Sequence, residues 1–246
     1  MYQEITPKTE TFSLKTGFHD LTGTAGTNTD KEALGNGLEI FISKDHRFGT
    51  DALLLAEFAA PRRKDSVIDL GTGCGIIPFL LLRDFGVKAV TAVDINAEAI
   101  ELLKQSVKAN NIGSIFPLCA DLRALSSEYN GEFDVVTCNP PYKAVGTGIV
   151  SKTEAELLAR HEVSCTQEDV CKASYKLLKS GGRLCMINRT ERLADVICAM
   201  RKNRIEPKRL RMVAKDENTK PVLFLIEGKK DAKPFTNIEC TKYTNI

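Results

Sequence analysis

The run Asn139-Pro140-Pro141-Tyr142 carries the most specific chemistry in this sequence. Proline cannot donate to a strand ladder or continue a helix, so two in a row end an element and set the backbone rigidly. In that frame the Asn139 side-chain carbonyl and the Pro140 backbone carbonyl can both face one amino group. Tyr142 offers a flat face to a planar substrate. The plain alternative is a proline turn that only closes a strand.

A second run, Asp69-Leu70-Gly71-Thr72-Gly73-Cys74-Gly75, argues against that alternative. Its glycines let the backbone turn tightly and approach a ligand closely. A helix following such a turn presents free N–H groups. Alone, the pattern suits NAD, FAD or S-adenosylmethionine, or only the turn itself. Val93-Asp94-Ile95-Asn96 follows, with Asp94 lying 23 residues past Gly71. An acid there can accept from both hydroxyls of a ribose, and a helix-capping carboxylate is the alternative. Asp121, before Leu122, can accept from the exocyclic amine of an adenine or cap a loop.

These residues need a scaffold that gathers them. SVIDL (66–70), AVTAVD (89–94), SIFPLC (114–119), FDVVTC (133–138) and RLCMIN (183–188) are short apolar runs that read as buried strands. Helical patterns occupy 75–85, 97–110, 154–160, 167–179 and 190–203. In the helix from Ala97, Ile100, Leu103 and Val107 form an apolar stripe and Asn96 is a ready N-cap. LEIFIS (38–43) is a further strand, and HRFGTDALLLAEFAA (46–60) is a loop entering a helix that Asp51 is placed to cap. KRLRMVA (208–214) and PVLFLIEG (221–228) are separated only by KDENTK, which suits an antiparallel hairpin. Alternating apolar strands and helices imply an α/β fold with a parallel sheet covered on both faces. Ligands of such sheets bind beyond the C-terminal strand ends, where all the runs above lie.

Composition narrows the class. At 43% hydrophobic and 27% charged the chain is neither disordered nor fibrous. Its length supports a core without disulfides or metal. The longest apolar stretch, Ile76 to Leu82, is far short of the ~20 residues a bilayer requires. The start, MYQEITPKTE, lacks the order of a signal peptide, so a cytoplasmic location and eight free thiols are expected. Cys119, Cys138, Cys185 and Cys198 read as small core residues, and the three histidines give no zinc-ligand spacing. From Arg201 to Ile246 there are 12 Lys+Arg and 6 Asp+Glu, so of the total charge of +2 the first 200 residues carry −4. A basic end on an acidic body fits a nucleic-acid edge or a solvated surface.

Taken in order, DLGTGCG, VDIN, ADL and NPPY resemble the class I S-adenosylmethionine-dependent methyltransferases that act on amino groups. HRFGTDALLLA (46–56) and Ala159-Arg160-His161-Glu162 add a likeness to the bacterial enzymes that modify N6 of an adenine beside the anticodon of a valine tRNA. The resemblance covers about residues 38–230. It implies a Rossmann-like doubly wound sheet of about seven strands, mostly parallel, with an antiparallel C-terminal hairpin. Residues 1–36, rich in Thr and Gly and poor in apolar pattern, lie outside it and read as a weakly ordered segment or small hairpin before a methyltransferase domain over 37–246.

The resemblance further implies S-adenosylmethionine as cofactor and tRNA as partner, with no membrane and no obligate protein partner. Asp69, Gly71, Gly73 and Gly75 would line the methionine and ribose part. Asp94 with Ile95 would take the ribose, and Asp121 with Leu122 the adenine. Arg47, Phe48, Gly49, Thr50 and Asp51 would lie near the methionine end, with Asn139 beside them. Asn139, Pro140, Pro141 and Tyr142 would bind the target base. Arg160 and His161 follow a Gly-containing segment, 143–153, that would form a lid, and His161 would contact RNA or order that lid. Arg201, Lys202, Arg204, Lys208, Arg209 and Arg211 would contact phosphates. Three other readings compete. A glutamine methyltransferase acting on release factors shares NPPY but usually has a helical N-terminal domain. A DNA adenine methyltransferase would need a larger insertion. A non-catalytic RNA-binding module would not need an intact NPPY.

Overall fold

Five apolar runs become the parallel core of one sheet: β3 (Ser66–Leu70), β4 (Ala89–Asp94), β5 (Ile115–Cys119), β6 (Phe133–Cys138) and β7 (Leu178–Arg189). The computed structural model describes residues 29–44, 46–140 and 165–244. The sheet continues with β8 (Ile205–Ala214), β9 (Leu223–Lys230), and the two-residue strands β10 (Asn237–Ile238) and β11 (Lys242–Tyr243). The order is β10-β8-β9-β7-β6-β3-β4-β5, with β11 also pairing β8. The antiparallel pair β8 and β9 is present as expected. Its position was not legible: β9 enters between β7 and β8 and runs antiparallel to both. β10 and β11, parallel to β8, have no counterpart in the sequence reading.

Helices cover both faces. α1 (Thr50–Ala59), α2 (Ile76–Phe85) and α3 (Ala97–Ala109) share a buried cluster with Val67, Val90 and Val135. α4 (Gln167–Leu177) and α5 (Leu193–Lys202) share another with Ile68, Val136 and Met186. Strand residues alternate between the two clusters, as a sheet buried on both sides requires. Local signals set the helix ends. Asn96 accepts from Glu98 and Ala99 N–H, and Thr166 and Asp169 form a reciprocal capping box. Asp51 does not cap α1; Gly49 is the N-cap, and Asp51 sits in the first turn.

The division at residue 36 cuts a hairpin. β1 (Thr29–Gly35) pairs antiparallel with β2 (Leu38–Ser43) through Gly35-Asn36-Gly37, all at positive φ. This hairpin docks on α3: Phe41 N–H donates to Ser106 Oγ at 2.8 Å, and Glu39 N–H to Asn110 Oδ1 at 3.0 Å. Cys138 and Cys185 are buried, but Cys119 and Cys198 are exposed, correcting their assignment to the core. Cys119 ends β5, the last strand on its side of the sheet among the described residues.

Gly75 joins the glycine turn to α2 at φ +92, and a Cβ there would stand 2.3 Å from Leu103 Cδ1. Leu103 is fully buried. Gly75→Ala should therefore cost about 1–3 kcal/mol through overpacking and a left-handed backbone. Urea titration should show a lower midpoint at unchanged slope.

Candidate functional site

Parallel register sets the site. β3 pairs with β4 and with β6, so Leu70 lies opposite Val93 and Cys138. The segments that leave β3, β4 and β6 therefore emerge side by side. They carry the glycine turn, Asp94 and Asn139. The turn is tied to its neighbour: Gly71 and Thr72 N–H both donate to Val93 O at 2.9 Å. Asp94 completes the clasp, accepting from Gly73 N–H at 2.8 Å through Oδ2 and from Asn96 N–H at 2.9 Å through Oδ1. It thus orders the loop besides facing the site, a role its sequence position did not reveal. Ile95, next to it, is 54% exposed and offers an apolar face there.

Gly71 and Gly73 adopt φ of +72 and +56, and nothing lies within 4 Å of where a Cβ would stand. Among the described residues nothing crowds the turn at these two positions, and glycine serves the backbone conformation. Beneath the turn, Asp69 is fully buried. Its Oδ1 accepts from Thr137 Oγ1 at 2.6 Å, the residue directly opposite on β6, while among the described residues Oδ2 has no hydrogen-bond partner within ordinary distance. Burial pushes its carboxyl up to about 7; the Thr137 hydroxyl opposes this, Thr72 nearby opposes it more weakly, and the Asp94 charge adds to it. A buried carboxyl oxygen with no such partner among the described residues, beneath an uncrowded glycine turn, fits a ligand with a cationic group at that end.

Asp121 caps the turn Leu122–Ala124, accepting from Arg123 N–H at 2.9 Å. The Arg123 guanidinium reaches the same carboxylate at 2.6 Å and holds its pKa below the usual range. Sequence reasoning missed this partner, which sits two residues away. On the other side of the turn, Asn139 follows β6, and Pro140 is buried. The Asn139 amide nitrogen donates to Asp51 Oδ2 at 2.9 Å. Phe48 is partly buried against the core, whereas the exposed Arg47 lies 3.7 Å from Asp30. Pro141, Tyr142, Arg160, His161, the segment 143–153 and the helix read at 154–160 lie outside the described residues. Among the described residues, no three His, Cys, Asp or Glu side chains gather as metal ligands, and no helix is long and apolar enough to cross a membrane.

At the basic end, Arg209 and Arg211 are both engaged by partners within the protein. Arg209 donates to Phe58 O at 2.6 Å, stacks 4.2 Å from the Phe58 ring and pairs with Glu239 at 3.1 Å. Arg211 pairs with Glu239 at 2.7 Å and Glu57 at 3.4 Å. Both stitch β8 to α1. At the surface, Arg201 lies 3.3 Å from Glu206, Lys202 is 2.8 Å from Glu168, Arg204 is 2.7 Å from Asp231, and Lys208 donates to Lys233 O at 3.1 Å.

Two measurements follow from this geometry. Asp69 has a folded pKa above its unfolded value, so the native state binds more protons between about pH 4 and 7. Its contribution to stability is therefore greatest at low pH and falls as pH rises to 7. Asp69→Asn removes that titration, and the melting-temperature gap of variant over wild type should grow by roughly 5–10 °C from pH 5 to pH 8. Arg209→Ala should cost about 1–3 kcal/mol by urea titration, because it removes the donor to the Phe58 carbonyl and one of the two guanidiniums on Glu239. Lys215→Ala, at an exposed position, should stay within about 0.5 kcal/mol.

Comparison with known proteins agrees with this architecture. Residues 38–203 match the methyltransferase small domain family. A Porphyromonas gingivalis protein named tRNA1(Val) (adenine(37)-N6)-methyltransferase is 28% identical over 205 residues, covering 78% of this chain and 79% of its own. A Histophilus somni protein of the same name is 32% identical over 146 residues, covering 57% of this chain and 60% of its own. The crystal structure of a predicted O-methyltransferase from Agrobacterium tumefaciens superposes with a TM-score of 0.64 at 21% identity, covering 78% of this chain and 86% of that one. M. jannaschii TYW2, solved in complex with AdoMet, gives 0.56 at 15% identity, covering 84% and 87%. These likenesses in structure concern the fold. With the family match spanning most of the described sheet and its glycine turn, the chain belongs to the methyltransferase small domain family.

Proposed function

We propose that this protein transfers a methyl group from S-adenosylmethionine to the exocyclic N6 amine of an adenine in tRNA, beside the anticodon of a valine tRNA. The observation that carries the reading is the placement of Asn139 and Pro140 at the end of β6, next to the glycine turn that ends β3. The substrate assignment is supported by the names of the curated relatives, tRNA1(Val) (adenine(37)-N6)-methyltransferase.

The residues answer a definite chemical problem. The lone pair of an adenine amine is delocalised into its ring, which makes the nitrogen a poor nucleophile. The Asn139 and Pro140 carbonyls, each accepting one N–H, draw that nitrogen toward tetrahedral geometry and localise the lone pair. When bound, S-adenosylmethionine supplies an electrophilic methyl on a positively charged sulfur. With the cofactor bound, Asp94 would accept from the ribose hydroxyls, Asp121 would serve the adenine, and Asp69 would serve the cationic methionine end. Tyr142 stacks on the target base, a contact worth ~1–3 kcal/mol in single-strand recognition. An adenine in an RNA loop is already partly unstacked, so its extrusion costs little. Positioning supplies most of the rate.

Incubation with isotopically labelled S-adenosylmethionine and an unmodified valine tRNA transcript, followed by nucleoside mass spectrometry, should yield N6-methyladenosine at one position. Label transferred only to protein would overturn the reading. Asn139→Ala should lower the single-turnover rate about 10²–10³-fold, as loss of one oriented transition-state contact does, with S-adenosylhomocysteine affinity near wild type. A folded Asn139→Ala enzyme that methylates at the wild-type rate would end this mechanism.

A further inference from the structure

We propose that Asp51 is a positioning residue: its carboxylate binds the amide nitrogen of Asn139 and so fixes which end of that amide meets the target amine. The inference rests on the reading of Asn139 given above and deepens it. A primary amide is nearly symmetric in shape, but its carbonyl accepts while its NH₂ donates. Only the carbonyl end can hold an amine that offers hydrogens. An amide turned the other way would set donor against donor, and shape alone does not prevent it.

Asp51 supplies the selection. Its Oδ2 lies 2.9 Å from Asn139 Nδ2. An ionised carboxylate has acceptors only, so it can bind only the NH₂ end, through a charge-assisted bond. The carbonyl oxygen is thereby turned away from Asp51. The carboxylate is itself held, because Oδ1 accepts from Ala52 N–H at 3.0 Å in the first turn of α1. A helix N-terminus favours negative charge there. Gly49 leaves the room for it: a Cβ at that position would stand 2.8 Å from Asp51 Oδ1. The far end of α1 is anchored by Arg209 on Phe58 O and by Arg183 on Ala59 O, the latter at 2.5 Å. Asp51, with Gly49 leaving room for it, therefore acts on the side of the target amine through Asn139.

Exchanging donor and acceptor tests this. Asn139→Asp alone sets two carboxylates face to face, and Asp51→Asn alone sets two amides together. Each single variant should lose at least about tenfold in single-turnover rate on the valine tRNA transcript at saturating S-adenosylmethionine. The pair Asp51→Asn/Asn139→Asp again places one donor against one acceptor, and it should run at least about tenfold faster than Asn139→Asp. S-adenosylhomocysteine affinity should stay within about threefold throughout. An exchanged pair no faster than Asn139→Asp overturns the proposal, as does a wild-type rate for Asp51→Asn. Weakened cofactor binding by Asp51→Asn at an unchanged saturated rate also overturns it and makes Asp51 a cofactor contact. If the wild-type protein methylates no tRNA, the functional reading fails separately. The pairing is then judged by thermal melts of Asp51→Ala, Asn139→Ala and the double variant, where non-additive losses sustain it and additive losses overturn it.

Discussion

Parallel pairing is the constraint to which the rest of this molecule answers. In a parallel ladder neighbouring strands point the same way, and every connection must cross back over a face. β3, flanked by β4 and β6, therefore gathers the loops of three separate crossovers at the carboxyl ends of the strands. Those loops cannot extend the ladder, so their backbone N–H groups need other acceptors. Val93 O and the Asp94 carboxylate serve the glycine turn in this way. The site is the consequence of closing off the carboxyl ends of these strands with short, hydrogen-bonded turns.

That end of the sheet is rich in carboxylates, and each is stabilised by a different means. Asp69, fully buried, favours the protonated form in neutral solution and below. Asp94 takes two backbone N–H groups. Asp121 is matched by a guanidinium. Asp51 takes a backbone N–H and a side-chain amide. Four acids can share one rim because hydrogen bonding, a paired cation and protonation each offset the cost of leaving water.

What the sequence disclosed depends on the range of the determining interaction. β3 to β7, α3 and the Asn96 cap follow from periodicity and from contacts within a few residues, and these were legible. The insertion of β9 between β7 and β8 is decided by packing across the whole sheet and leaves no local mark. Arg209 and Arg211 read as a basic stripe because composition counts charges without their partners; Glu57 and Glu239 lie 154 and 28 residues from Arg211. The link from Asp51 to Asn139 spans 88 residues, and neither residue's neighbours announce the other. The two-residue strands β10 and β11 are too short to carry a period.

The order of the chain also sets the order in which the molecule can be completed during synthesis. α1 is made before any strand of the parallel sheet, yet part of its apolar face packs on β6, β7 and β9. At about 5–20 residues per second, the 88 residues between Asp51 and Asn139 take roughly 4–18 s to emerge. Throughout that interval Leu54, Leu55 and Phe58 lack much of their final covering. β3, α2, β4, α3 and β5 are consecutive neighbours and can assemble meanwhile. The order of synthesis thus makes five consecutive elements available to pair before the strands that finish covering the first helix exist.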